Sequence, residues 1–199
     1  MSDKSGVHYS PGMDARFVRS RTLLRAAALE LAAARPVADI TVAELCRRAG
    51  VTRETFYRHA PSVADLLAAA LGEELEAALA RVPPTEPVGV AERALLTHVA
   101  DRALVYRHAM NPLLIAPVRH WLDRSLRAGL TDLLARRPEL VPSEIAGDPV
   151  AVSMAVAYAA AGTIGAVEEW LRTGATDVDR AVEIVLAASP QLWLAPEDP

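Results

Sequence analysis

Cysteine and phenylalanine are scarce in this sequence. The single cysteine, Cys46, cannot form a disulfide within one chain, which excludes a fold stabilised by intrachain disulfide bonds. Only two phenylalanines stand among abundant alanine and leucine, which disfavours a sheet core rich in aromatic and β-branched residues. With 199 residues, 52% of them hydrophobic, the chain can bury a substantial core. We therefore expect an all-α protein.

The groups that would mark an enzyme are also missing. No nucleophile stands beside a base at a recognisable spacing, and the sequence has neither a glycine-rich phosphate loop nor a cluster of metal ligands. His98 and Asp101 are spaced as two ligands on one helix face could be, but two residues do not make a metal site. We expect no enzyme activity, no metal and no cofactor.

Signals for secretion or membrane insertion are weak. The N-terminus lacks the long apolar core of a signal peptide, so a cytoplasmic protein is expected. Residues 150–167 carry no charge over 18 residues, which is near the lower length limit of a spanning helix. Alanine, glycine and hydroxyl side chains dilute this stretch, and no one-sided basic cluster flanks it. It predicts a buried helix, and no membrane partner.

Charge is distributed unevenly along the chain. The formal net charge is −4, yet residues 1–60 hold ten basic against six acidic side chains. Residues 61–199 hold eleven against nineteen, so the two parts carry +4 and −8. A basic N-terminal part on an acidic body is typical of a protein that presents one end to phosphates.

Helical periodicity and stop residues divide the chain into segments. A mobile tail is expected over residues 1–14, a DNA-binding domain over 15–62 and a larger helical regulatory domain over 63–199. Thr41 and Glu44 form a capping box that begins the second helix. The helices are predicted at about residues 14–35, 41–50, 52–59, 62–82, 88–109, 111–116, 118–135, 149–173 and 177–189.

Residues 41–60 match the plan of a helix-turn-helix. Gly50 permits the positive φ of the turn between two short helices. The small core of the motif is predicted from Leu45, Ala49, Val51 and Phe56. The second short helix would then expose side chains suited to phosphates and base edges. These are Arg53, Thr55, Tyr57, Arg58 and His59.

The segment from Ile40 to His59, ITVAELCRRAGVTRETFYRH, resembles the DNA-binding signature of the TetR family. The resemblance covers about residues 14–70. It implies that Tyr57 and His59 bind phosphates and that Phe56 lies in the core. The same resemblance implies that Arg53 and Thr55 approach bases or backbone, and that Thr41 seats the first helix of the motif on DNA. Arg58 is a further expected contact. Ala60 and Val63 depart from the family pattern, which commonly has Phe and Lys there.

Residues 160–174 resemble the penultimate helix of the TetR C-terminal domain, which implies a homodimer built from the last two helices. The expected interface residues are Ala161, Gly165, Val178, Val182 and Val185. A ligand pocket is expected between the central helices. The larger side chains available to line it are Tyr106, Met110, His120, Trp121, Tyr158 and Trp170.

The function expected from the sequence is that of a DNA-binding transcriptional regulator. The resemblance favours a repressor that a small apolar ligand releases from a palindromic operator. The alternative is a TetR-like helical dimer that acts through protein partners without binding an operator. The absence of a lysine at Val63 is the one feature that favours this alternative.

Overall fold

The computed structural model describes residues 11–83 and 85–189, and these ranges form helices with no strand. The predicted all-α fold is confirmed. In chain order the helices are α1 (Pro11–Ala34), α2 (Val42–Ala49), α3 (Arg53–Tyr57), α4 (Val63–Leu79), α5 (Val88–Asp101), α6 (Ala103–His108), α7 (Ala116–Arg136), α8 (Pro149–Thr173) and α9 (Val178–Ala188). Helix α1 begins inside the predicted tail 1–14, whose first ten residues lie outside the described ranges.

Side-chain caps determine where five of these helices begin. Thr41, Thr52 and Ser62 each accept a hydrogen bond from the amide three residues further on, at 3.2, 3.2 and 3.1 Å. Asp148 and Asp177 do the same for α8 and α9. Amides in the first turn have no partner inside the helix, so each cap supplies one.

Helix α4 is buried along most of its length. Leu67, Leu71 and Leu75 are at most 1% exposed. The helix packs against α1, α5 and α7. One hydrophobic cluster consequently extends from Leu24 in α1 to Val185 in α9.

Helix α4 meets the Trp121 side chain of α7 at Gly72. A Cβ atom at this position would lie 2.5 Å from Cε2 and 2.6 Å from Nε1 of the Trp121 indole. Trp121 is itself only 9% exposed, so the indole has little room to withdraw. The absence of a side chain at Gly72 therefore permits this contact.

The predicted helix over residues 88–109 is two helices, α5 and α6. The chain turns at Arg102, whose φ of −111° and ψ of 20° interrupt the helical backbone. The Arg102 guanidinium binds Glu74 of α4 through two hydrogen bonds of 2.8 and 2.5 Å. This bidentate ion pair fixes the junction between α5 and α6 against α4.

The helix predicted at residues 111–116 is wrong, because that segment is mainly a loop before α7. Pro112 has no N–H to donate to a helix. The amide of Leu114 instead donates to the Glu168 carboxylate of α8 at 3.2 Å. Glu168 is 4% exposed and also accepts a bond from Arg119 at 3.2 Å. The buried carboxylate thus anchors the loop to α8.

Helix α9 turns its apolar stripe inward. Val182 and Val185 are 5% and 9% exposed and belong to the core of the chain, where α9 packs on α5. Val178 is half-buried against the same core. Val182 and Val185, which the sequence analysis expects at the dimer interface, are thus largely covered within the single chain.

Helix α8 is less buried than its composition predicts. Val150, Met154 and Tyr158 are 67%, 67% and 69% exposed. By length and composition this helix could cross a membrane. Within its most apolar 18-residue stretch, 22% is buried in the structure. Core helices of soluble proteins pass the same test, so this is weak evidence for a span. The prediction that the helix is buried is wrong for this face of the single chain.

Substituting alanine at Gly72 should destabilise the fold. The new methyl group would overlap the Trp121 ring, and overpacking of this kind costs about 1–3 kcal/mol. That cost should exceed the gain in helix propensity, which is at most about 1 kcal/mol. Urea unfolding followed by circular dichroism measures the difference.

Gly129 of α7 provides the matched control. A Cβ atom there meets nothing within 4 Å, so Gly129→Ala should raise stability by about 0.4–1 kcal/mol. A Gly72→Ala protein as stable as Gly129→Ala would contradict the close contact between α4 and α7.

Candidate nucleic-acid interface

The turn between α2 and α3 depends on Gly50. Its φ of 66° and ψ of 34° lie in the left-handed region that side chains disfavour. The next amide, that of Val51, bonds back to the Cys46 carbonyl at 3.0 Å and closes the turn. Leu45 and Phe56, both fully buried, pack the two helices together. The predicted helix-turn-helix is present.

Helix α3 and the residue that follows it, Arg58, present three large polar side chains to solvent. Arg53 and Arg58 are exposed, and Tyr57 is 60% exposed. Thr55 is half-buried, and its hydroxyl lies 3.0 Å from that of Thr52 in the cap of the same helix. Arg53, Tyr57 and Arg58 can therefore reach a ligand without first leaving the core, whereas Thr55 is already engaged.

His59, just beyond α3, is turned towards α1. Its ring centroid lies 4.2 Å from that of Phe17, and its Nε2 lies 2.8 Å from the Ser20 hydroxyl oxygen. The Ser20 hydroxyl donates to the Phe17 carbonyl at 2.9 Å, so the oxygen must accept from Nε2–H of His59. This assignment leaves Nδ1 as the unprotonated nitrogen, and Nδ1 is buried without a partner among the described residues.

The surroundings of His59 favour its neutral form. Burial lowers the pKa of the imidazole, and the positive charges of Arg58, Arg21 and Arg25 lower it further. A second proton would also place an N–H at the unpartnered Nδ1. His59 is consequently a neutral connection between α1 and α3, rather than a cation displayed to solvent.

Arginines of α1 and the helix-turn-helix divide into paired and unpaired groups. Within the described ranges the following form no ion pair: Arg16, Arg19, Arg21, Arg47, Arg53 and Arg58. The paired ones are Arg25 with Glu73, Arg35 with Glu44, and Arg48 with Glu30. Unpaired guanidinium groups are the donors that phosphate oxygens bind most readily.

Three of the unpaired arginines line one groove. Arg16 of α1, Arg47 of α2 and Arg58 border a groove of about 690 Å³ between α1 and the helix-turn-helix. The sequence analysis did not select Arg16 or Arg47. The sequence alone offered no such indication, because the lack of an ion pair at these two arginines within the described ranges, unlike at Arg48, is visible only in the structure.

Thr41 remains accessible at the start of α2. Its side-chain oxygen accepts from the Glu44 amide, and the residue is exposed. The Glu44 carboxylate pairs chiefly with Arg35. The Arg35 guanidinium lowers the pKa of Glu44 more than the hydrogen bond from the Thr41 backbone amide does. The Thr41 hydroxyl proton is therefore available to an acceptor outside the chain.

The two departures from the family pattern lie in the core. Ala60 is 6% exposed and Val63 is 8% exposed, so neither side chain can reach a phosphate. Cys46 is likewise buried, and burial raises the pKa of its thiol, as expected for a packed cysteine.

The six side chains expected to line a ligand pocket differ widely in exposure. Tyr106 is fully buried beside His98, with 3.1 Å between its hydroxyl and Nε2, and Trp121 packs on Gly72. His120 and Tyr158 are exposed. Met110 and Trp170 are half-buried against the core.

Residues 24–70 match the model of a family described as bacterial regulatory proteins of the tetR family. The match includes the later part of α1, the whole helix-turn-helix and the start of α4. Residues 24–70 of this chain are therefore similar to the DNA-binding part of bacterial regulatory proteins of the tetR family, and they contain a helix-turn-helix. In the described ranges no group of three or more potential metal ligands occurs.

Several solved structures have the same fold. A TetR transcriptional regulator from Rhodococcus sp. RHA1 is 19% identical, with a TM-score of 0.63 and coverage of 90% of this chain and 99% of that one. The dihydroxyacetone kinase operon activator DhaS is 14% identical, with a TM-score of 0.61 over 85% and 96%. RolR without ligand is 20% identical, with a TM-score of 0.51 over 86% and 99%. At these identities the likeness concerns the fold alone, and no curated protein matches the sequence.

The neutral His59 should make stability depend on pH. Because the folded pKa lies below the ordinary value of 6.5, the unfolded chain binds more protons in acid. Stability should therefore fall as the pH drops from about 7 to about 5. In His59→Gln, the amide can still donate to Ser20 but does not titrate, so its loss of stability over this range should be smaller.

Urea unfolding of both proteins at each pH measures this difference. His98 also has a pKa lowered mainly by burial, but it is present in both proteins and cancels in the comparison. Equal pH dependence of the two proteins would show that His59 is not held neutral.

Proposed function

We propose that this protein is a cytoplasmic repressor of the TetR type whose dimer occupies a palindromic operator and leaves it when a small ligand binds. The observation that carries the proposal is the exposure of Arg53 and Tyr57 on α3 and of Arg58 just beyond it, beside arginines that form no ion pair within the described ranges. Such a surface offers both phosphate and base-edge donors.

The residues of this surface have different proposed tasks. Tyr57 and Thr41 donate hydroxyl groups to phosphates, and His59 supports them by holding α3 against α1. Arg53 and Thr55 lie on the part of α3 that enters the major groove, and Arg58 adds a charged contact. Phosphate contacts position a protein, whereas base contacts determine sequence preference.

Two substitutions should separate these tasks. Tyr57→Phe removes one exposed hydroxyl, so binding to operator and to random DNA should weaken together. Arg53→Ala should cost about 1–3 kcal/mol on the operator and much less on random DNA. An operator is first selected from a random duplex library, and competition binding at fixed salt then compares the two proteins.

An unchanged sequence preference in Arg53→Ala would show that another element reads the bases. Failure of the wild-type protein to select any duplex would favour the alternative, a helical dimer that acts through protein partners. DhaS is named an operon activator, so the direction of regulation needs its own test. Transcription in vitro from the selected operator should decrease when the protein is added.

The proposed dimer uses the uncovered face of α8. Ala161 and Gly165 are exposed and continue the stripe of Met154 and Tyr158 at helical spacing. A Cβ atom at Gly165 meets nothing within the single chain, so this face has room for a close helix of a second copy. Val178, at the start of α9, is half-buried and borders the proposed interface.

Ala161→Glu should therefore convert the dimer into monomers. The alanine is exposed in the single chain, so the carboxylate costs the protomer little but would be buried without a partner between two copies. Ala128→Glu, at an exposed alanine of α7, is the matched control and should remain dimeric. Light scattering after size exclusion gives the mass, and a monomeric wild type at micromolar concentration would refute this interface.

Ligand release requires a connection between the two ends of the chain. The His108 imidazole of α6 lies 2.7 Å from the Ala32 carbonyl of α1, through Nδ1. Arg25 of α1 also pairs with Glu73 of α4. A shift of α4 or α6 would therefore move α1, which packs against α2 and contacts His59 just beyond α3. By reciprocity, operator DNA should weaken ligand binding as much as the ligand weakens DNA binding.

A further inference from the structure

A cavity between α4, α5 and α7 differs from the pocket that the sequence predicts. Its volume is about 310 Å³, at the lower end of the range for small-molecule sites. None of the six aromatic, histidine or methionine side chains expected at a ligand pocket lines it. Its wall is mainly aliphatic, and the leucines that form it are Leu75, Leu79, Leu95, Leu126, Leu130 and Leu133.

One acidic side chain stands in this aliphatic wall without a partner. Oε1 of Glu92 is shielded from solvent and forms no hydrogen bond with any described residue. Burial alone raises the pKa of this carboxyl to about 7. A buried, unpaired acid destabilises the folded chain, so the contacts within the chain do not account for Glu92.

No cation of the chain is available to Glu92 from the described wall of the cavity. The other charged groups that line it are Glu86, Asp132 and Arg136. Arg136 is already paired with Asp132 one helical turn away on α7. Glu86 is exposed and carries the same charge as Glu92. The cavity is consequently apolar with an excess of negative charge.

We propose that this cavity is the effector site and that it takes a small amphipathic amine, with its apolar body among the leucines and its ammonium group on Glu92. This inference rests on the proposed function, in which a ligand controls operator binding. Charge complementarity selects the occupant, because an ammonium donor would neutralise the buried carboxylate and satisfy its free oxygen. An anionic ligand would meet two carboxylates and no unpaired cation.

The proposal predicts how ligand affinity depends on pH. The amine binds the ionised carboxylate, which is a minor form below a pKa of about 7. Affinity should therefore rise as the pH increases from about 6 to about 8, where an aliphatic ammonium is still protonated. The other charged groups that face this cavity are Glu86, Asp132 and Arg136.

The test compares two probes of equal shape on the full-length protein. Naphthylmethylamine carries the ammonium group, and naphthylmethanol is its neutral isostere. Calorimetric titration should show tighter binding of the amine, and Glu92→Gln should weaken amine binding about tenfold or more. The same substitution should change alcohol binding by less than about twofold.

Two further variants locate the probe. Glu86→Gln removes the exposed carboxylate at the same cavity and should change amine affinity by less than about threefold, because solvent screens this charge. Leu130→Trp should fill the cavity and abolish binding of both probes. Circular dichroism establishes that each variant is folded before its affinity is compared with the wild type.

Several results would overturn the inference. The inference would be refuted if the amine and the alcohol bound with equal affinity, or if Glu92→Gln left amine binding unchanged. It would also be refuted if folded Leu130→Trp still bound either probe, or if the wild type bound neither. A Glu92-dependent amine site that leaves operator affinity unchanged would support the site and refute ligand release. Failure of the inferred site and failure of the proposed regulation are thus distinguished.

Discussion

The burial of α4 is the constraint on which the rest of the structure depends. It packs against α1 of the DNA-binding helices and also against α5 and α7. A leucine row that is nearly inaccessible to solvent joins these two environments. Because one rigid helix serves both, a displacement at its distal end cannot be confined there. The contact at Gly72 leaves α4 little freedom to slide along α7.

The effector cavity and the DNA-binding helices are connected through this arrangement. Leu75 and Leu79 of α4 line the cavity, while Arg25 and His108 connect α1 to α4 and α6. A ligand that fills the cavity would therefore act on elements already in contact with α1. This differs from a switch that depends on a flexible linker, since the coupling uses packed helices.

Local signals predicted the N-terminal part well. Thr41, Thr52 and Ser62 cap helices where their side chains make this possible, and Gly50 stands where a positive φ is needed. These caps and this turn depend only on residues a few positions apart, so the local sequence is sufficient to predict them.

Features that depend on distant neighbours could not be predicted in this way. An apolar stripe identifies the buried face of α9 but not the helix that covers it, so the packing of α9 on α5 was not predicted. The bond between His59 and Ser20 joins residues 39 positions apart. In the sequence, Glu92 looks like an ordinary polar residue of an amphipathic helix. Its position at a cavity between α4, α5 and α7 is visible only in the structure.

The uncovered face of α8 connects operator occupancy to the amount of protein in the cell. In the proposed dimer, two copies must meet before two recognition helices can engage one palindrome. When protomers are dilute, the concentration of dimers rises with the square of the protomer concentration, and operator occupancy follows it. A modest change in synthesis or degradation would then produce a larger change in repression. Weakening the α8 contact would shift this threshold to higher protein levels while leaving every DNA-contacting side chain in place.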